Sequence, residues 1–356
     1  AEGMLGEEGE NAELQYNWGV ALSGLAGALK ETENRQAVAQ ADDALLMACE
    51  RYGMVTAMDP NNSKSYNNWG AALTQLAENR GGEEACRLLP IATEKLEQGL
   101  TIEPNDLELL SNMGDALHQW ASLTAPSDWQ RAQALWAGSY QRYEQALSLC
   151  EYPSDRVDCL SNWSYALSVH AEAAKQIGDS ATATSLYHTS AERLKAVLSI
   201  NTTDCDGYVA CAEALKNAAE CGEGGVSGGF DGVASALEAS LRIDMSHIET
   251  LGALGELCLD SGRELVAAGM RDPGVARLSQ AWDWYSKLLS LTPTDSNALY
   301  NAACVHALAG NLPQGIECLG RARSAEEMAG SDIQEWISGV VGDADLANLH
   351  HQAGFA

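Results

Sequence analysis

"YNNWGAAL", residues 66–73, repeats "YNWGVAL", residues 16–22, almost letter for letter. Both carry Asn-Trp-Gly and then a Leu three residues after the Gly. Five looser copies follow: "LLSNMGDAL" at 109–117, "LSNWSYAL" at 160–167, "YVACAEAL" at 208–215, "LGALGELC" at 251–258 and "LYNAACVHAL" at 299–308. Each copy sets a small residue between large ones: Gly19, Gly70, Gly114, Ser164, Ala212, Gly255 and Ala303. A supersecondary unit repeated in this way cannot bury its apolar face alone and must stack on its neighbours.

A second pattern lies between the copies and ends in a turn, as in "YGMVTAMDPNN" at 52–62, "LEQGLTIEPND" at 96–106 and "YSKLLSLTPTD" at 285–295. Apolar residues three and four apart on both sides of the turn predict helices. Pro60, Pro104 and Pro293 end one helix, because the residue before a proline avoids the helical region. The Asn, Asp or Ser that follows can cap the next. The result is an alternation of helix A, carrying Trp-Gly, and helix B, ending at the turn.

This pattern resembles the tetratricopeptide repeat (TPR) family. The last unit, "ALYNAACVHALAGNLPQGIECLGRA" at 298–322, matches that family without insertion through Leu299, Ala303, His306, Gly310, Gly315, Leu319 and Ala322. The resemblance implies an all-α, right-handed superhelical solenoid of about seven TPR-like helix pairs with elongated helices. A C-terminal capping helix follows. The expected organisation is an N-terminal tail at 1–11 and an array at 12–328, with a capping helix and tail at 329–356. The repeats are placed at 12–62, 63–106, 107–155, 156–203, 204–246, 247–295 and 296–328. The first six units exceed the family's usual length. The excess falls between helices A and B, as around "ETEN" at 31–34, and adds about two turns to each helix.

Trp18, Gly19, Trp69, Gly70, Trp163, Tyr52, Pro60, Pro104 and Pro293 are assigned to the structural core. The small residue lets helix B approach, and the large one fills the space between layers. The Asn before each Trp position recurs as Asn17, Asn68, Asn112, Asn162 and Asn301. In TPR proteins this position faces the concave groove. In the O-linked N-acetylglucosamine transferase family, a ladder of Asn there holds an extended peptide by its backbone. An amide both donates and accepts, which suits a peptide unit. These five Asn are therefore candidates for a peptide-binding groove. The alternative is that they bond to the adjacent helix and stiffen the array.

The chain holds 21 Lys plus Arg against 50 Asp plus Glu, a net charge of −29. Such a field repels phosphate backbones and anionic membrane surfaces, and it favours a basic protein segment. Nucleic acid is not an expected partner, nor is direct membrane insertion, since no apolar run approaches the ~18 residues needed to cross a bilayer. The ten cysteines include no C-x-x-C pair and fall largely in apolar helical patterns, which reads as reduced core thiols.

Neither an H-E-x-x-H, a G-x-S-x-G nor a P-loop signature occurs. The Gly-rich "GEGGVSGGFDG" at 222–232 reads as a flexible turn, and "DCDG" at 204–207 as a helix cap. No catalytic residue, metal site or cofactor is expected. The family's carboxylate clamp is missing too, since positions 16, 20, 67 and 71 are Tyr, Val, Asn and Ala.

The sequence thus reads as a non-enzymatic scaffold or adaptor in assembly or maintenance of a multiprotein complex, taking an extended segment in its groove. A permanent subunit of a large complex and a substrate-recruiting module for an enzyme on another chain are the alternatives. The Asn-Trp-Gly style of helix A is similar to plant and algal organellar TPR proteins. That similarity implies a plastid or another organelle, and the initial Ala implies a processed or trimmed form.

Overall fold

The computed structural model describes residues 2–30 and 35–350. Among them there are sixteen α-helices, one 3-10 turn and no strands. The chain divides into two compact units, 1–173 and 174–356. The first contains α1 (Glu2–Lys30), α2 (Arg35–Met58), α3 (Ser63–Arg80), α4 (Gly82–Ile102), α5 (Leu107–Thr124), α6 (Trp129–Leu149) and most of α7 (Pro153–Gln176). The second contains α8 (Ser180–Ile200), α9 (Cys205–Cys221), α10 (Gly225–Ile243), α11 (Ile248–Ala267), α12 (Arg271–Leu291), α13 (Ser296–Ala309) and α14 (Leu312–Ala329). It ends with α15 (Ile333–Gly342), the 3-10 turn Ala344–Leu346 and α16 (Ala347–His350). Consecutive helices pack on one another within each unit, in the manner of a TPR-like helical repeat.

The turns work as the sequence requires. Asn62, Asp106, Asp204 and Asp295 each accept a backbone N–H three residues on, which satisfies a donor the helix start leaves open. The prolines sit in these turns as breakers. Pro60, Pro104 and Pro293 are exposed there and belong to no core, since a turn between helices runs over the surface.

The glycines of helix A explain the repeat. A Cβ at Gly19 would lie 2.6 Å from the Tyr52 ring, at Gly114 2.7 Å from Tyr143, and at Gly255 2.7 Å from Tyr285. At Gly70 the obstacle is Leu96. Each large residue belongs to helix B of the same pair and is fully buried. Gly255→Ala therefore overpacks the contact, at a cost of about 1–3 kcal/mol. The helix regains about 0.8–1 kcal/mol from the better helix former. The expected net loss is up to about 2 kcal/mol, read as a lower urea midpoint at unchanged slope. Gly252→Ala is the control on the same helix: its nearest obstacle, Leu288, is 3.7 Å away, so stability should hold or rise.

The tryptophans divide. Trp163 is buried, its ring stacked on Tyr143 of α6. Trp69 is half-buried against Gly53 of α2. Trp18 is not a core residue: it is 45% exposed, with the Arg51 guanidinium 4.0 Å above its ring. Trp69 and Trp163 are covered by a helix of the preceding pair, whereas the ring of Trp18 meets the Arg51 side chain of α2.

Other expectations also shift. Residues 2–11, expected as a tail, are the first turns of α1. The "ETEN" connection lies outside the described residues. The helices are longer than those of the final pair by unequal amounts: α1 and α2 hold 29 and 24 residues and α3 and α4 hold 18 and 21, against 14 and 18 in α13 and α14, so the two extra turns expected around "ETEN" are met or exceeded in the first pair and fall to about one turn in the second. The Gly-rich stretch is a turn only at its start and is helical from Gly225. There the Glu264 carboxylate of α11 accepts from the N–H groups of Val226 and Ser227 and so caps α10.

The second unit ends on its own tail. Arg263 of α11 pairs with Asp345 at 2.6 Å, and the Tyr300 hydroxyl of α13 donates to Asp343 at 2.5 Å. These contacts seat Leu346 and Leu349, both fully buried, in the cluster that holds Ala303 and Leu319.

Candidate functional site

The candidate groove lies in the first unit, along α3, α5 and α7, the A helices of successive repeats. Asn112 donates to Asn67 Oδ1 at 2.8 Å, tying α5 to α3, and Asn67 in turn donates to Asn68 Oδ1 at 3.3 Å. Asn68 donates to the Tyr16 hydroxyl of α1 at 3.2 Å. Asn162 reaches Asp115 Oδ2 at 3.5 Å, tying α7 to α5. Asn17 is exposed on α1. In the second unit, Asn301 lies beside the Tyr285 hydroxyl of α12 without a hydrogen bond of ordinary geometry. Three of the five expected Asn are thus joined in inter-helix bonds. Asn112 and Asn162, which line the groove, each spend one donor in this way and keep their remaining hydrogen-bonding capacity for it, whereas Asn68 also accepts from Asn67 and is not among the lining residues.

The groove has two halves that share Glu78, His118, Gln119 and Tyr165. The polar half, about 440 Å³, is lined by Ala71, Gln75, Asn112, Asp115 and Asn162 among others. The apolar half, about 210 Å³, is walled by Ala77, Ala85, Leu89, Leu123 and Val169. Its depth comes from the small residues of α3 and α4.

Asp115 is the central charge. Its carboxylate accepts from Tyr143 at 2.5 Å and from Asn162. Burial pushes its pKa up to about 6, against the opposing hydrogen bond from Tyr143. One turn on, burial pushes His118 down to about 4, with Glu78 opposing, so the imidazole is neutral at physiological pH. The His118 ring meets Tyr165 edge-on, centroids 5.6 Å apart, and Tyr165 is 64% exposed at the mouth. Glu78 is paired with Lys30 at 2.7 Å.

The model of a plant-specific family, the mitochondrial import receptor subunit TOM20, matches residues 48–212. That is less than half of the chain, and it takes in α3, α5 and the groove. Solved structures with similar helical repeats include YrrB, described as a TPR protein with an unusual peptide-binding site. It is 12% identical, with 69% of this chain and 99% of that one covered and a TM-score of 0.38. The S. pombe nuclear import adaptor Nro1 is 13% identical, with 83% and 98% covered and a TM-score of 0.47. MamA is 17% identical, with 57% and 95% covered and a TM-score of 0.37. At this distance the three carry no argument about what this chain binds.

Asp115, His118 and Tyr165 were absent from the sequence-derived candidates. A signal for two of them existed. The groove-facing position after the small residue is Val20 and Ala71 in the first two repeats, and the same position is Asp115 and Tyr165 in the next two. Another cluster also escaped the sequence: Asp206, His247 and Glu249 bring ligand atoms within 4.8 Å of one another where α9 and α11 begin. His247 Nε2 lies 3.3 Å from Asp206 and 3.4 Å from Glu249, both carboxylates largely exposed, which is a set of close polar contacts at the surface. Among the described residues no helix is long and apolar enough to cross a membrane.

Proposed function

We propose that this chain is a non-catalytic adaptor that takes an extended segment of a partner protein in the groove along α3, α5 and α7. The carrying observation is the groove itself: an open channel whose polar half is edged by Asn112, Asn162 and Asp115 and whose charged lining groups are carboxylates. Amides that still have donors and acceptors to offer suit a backbone, and carboxylates suit a basic segment. The family match adds the setting. A plant mitochondrial import receptor model spans this region, so the organelle in this reading is the mitochondrion, and the plastid expected from the style of helix A has no support beyond that style.

The test is selection of a displayed library of random twelve-residue peptides on the full chain. Enriched peptides should lose binding to Gln119→Arg, which fills the shared part of both halves. They should weaken on the joint change Asn68→Ala plus Asn112→Ala. No enrichment, or binding unchanged by Gln119→Arg, sinks the groove reading. Lower stability with unchanged binding in the double Asn variant makes the Asn ladder a tie between helices only.

The permanent-subunit reading has one observation in its favour. Leu14, Trp18 and Leu25 form an exposed stripe on α1, and Met47, Met54 and Met58 form another on α2. Arg51, lying over Trp18, joins the two stripes. Exposed apolar surface of this kind marks an interaction face.

A further inference from the structure

We infer that the groove reads a short signature in the extended segment: an aromatic side chain two residues away from a Lys or Arg. The inference rests on the groove reading above and names what that groove selects. Its starting point is His118. The side chain is only 5% exposed and lines both halves, yet its Nδ1 is buried with no hydrogen-bond partner. A desolvated polar group without a partner costs free energy.

The apolar half sets the first element. A cavity of about 150 Å³ accommodates a benzene molecule, so the cleft of about 210 Å³ has room for one aromatic ring. Ala77, Ala85 and Leu89 give the ring an apolar wall, and Tyr165 stands exposed at the mouth to pack against it. Aromatic pairs favour such edge or offset contacts. The neutral His118 adds no charge to the cleft that would oppose an apolar guest.

Charge sets the second. The charged residues lining the two halves are Glu78 and Asp115, and no Lys or Arg lines either. Glu78 already has Lys30. Asp115 has only neutral donors, Tyr143 and Asn162, so a guanidinium or ammonium is the missing partner.

Spacing follows from geometry. Asp115 and His118 are one turn apart on α5, which separates their Cβ atoms by about 5–6 Å. In an extended chain residues i and i+2 share a face and lie about 6.6–6.8 Å apart. One residue between the aromatic and the basic side chain therefore matches the spacing of Asp115 and His118 along α5.

The probe is a fluorescein-labelled Ser/Gly/Ala peptide carrying Phe-Ala-Arg, and a second in the reverse order, titrated against the full chain by anisotropy. One order should bind. Replacing its Phe or its Arg by Ala should each weaken binding at least tenfold, and Glu in place of Arg should abolish it. Asp115→Asn should erase the advantage of Arg over Ala while keeping that of Phe. Tyr165→Ala, exposed and so spared in folding, and Ser122→Trp, which fills the cleft, should erase the advantage of Phe while keeping that of Arg. Equal binding of all the peptides overturns the signature and leaves the groove reading standing. So does failure of both probes while library-selected peptides bind in the groove. Failure of probes and library alike overturns both.

Discussion

Tyr143→Ala is expected to lower the unfolding free energy by about 3–5 kcal/mol, the range for removing a buried aromatic side chain. Three contacts converge on this residue. Its ring covers Gly114 where a Cβ would lie 2.7 Å away. The same ring stacks on Trp163 of the next A helix, centroids 6.3 Å apart and planes at 20°. Its hydroxyl donates to Asp115 at 2.5 Å. Truncation therefore opens a cavity between α5, α6 and α7 and removes the main donor to a half-buried carboxylate. Tyr143→Phe separates these effects, since it keeps the ring and deletes only a bond to a charged group, about 1.5–3 kcal/mol. Urea titration followed by circular dichroism measures both. Equal losses in the two variants would mean that ring packing contributes nothing, and the account of the Gly-Tyr pair would be wrong.

The same residue shows what was legible in the sequence. The repeat, its turns and the Gly of helix A were readable because each recurs in register. Gly19, Gly114 and Gly255 each face a tyrosine for one steric reason. Exposure of Trp18 was not readable, because what covers each Trp comes from another helix and not from the local pattern. The groove was half readable. The Asn positions recur, so they stood out, and the inter-helix alternative weighed for them is the bonding the structure gives Asn68, Asn112 and Asn162. Asp115, His118 and Tyr165 each occur once. Their role comes from burial and from the approach of α3, α5 and α7, neither of which a single non-repeated residue announces. Reading the position after Gly19 and Gly70 forward into the third and fourth repeats would have reached two of the three.

Asp115→Asn is expected to stabilise the fold at pH 7.5, by up to roughly 3 kcal/mol at about 1.36 kcal/mol per pKa unit. The sign follows from proton counting. The carboxyl titrates at about 6 in the folded chain and near 3.8 when unfolded, so between those values the folded state holds more protons. Stability from this group is therefore lost as pH rises from about 4 to about 6, and at pH 7.5 the whole penalty of ionising this half-buried carboxylate is present. The amide removes that penalty and still accepts from Tyr143. Only the contact from Asn162, at 3.5 Å, is put in doubt. His118 works in the opposite direction. Its folded value of about 4 lies below the ordinary 6.5, so its contribution is full above 6.5 and is lost as pH falls towards 4. In the parent chain the two slopes oppose each other over the same interval. Chemical unfolding at closely spaced pH values should show a shallow profile for the parent and a fall towards acid for Asp115→Asn. His118→Gln should instead show a fall towards neutral pH. Parallel profiles for the parent and Asp115→Asn would mean that Asp115 is solvated, and the charge that selects a basic partner would then be too weakly desolvated to do so. A cation brought to Asp115 by a bound segment favours the ionised form. Affinity for an Arg-bearing peptide should therefore rise as pH passes upward through 6, while affinity for its Ala counterpart should not, and this difference ties the half-buried carboxylate to recognition as well as to stability.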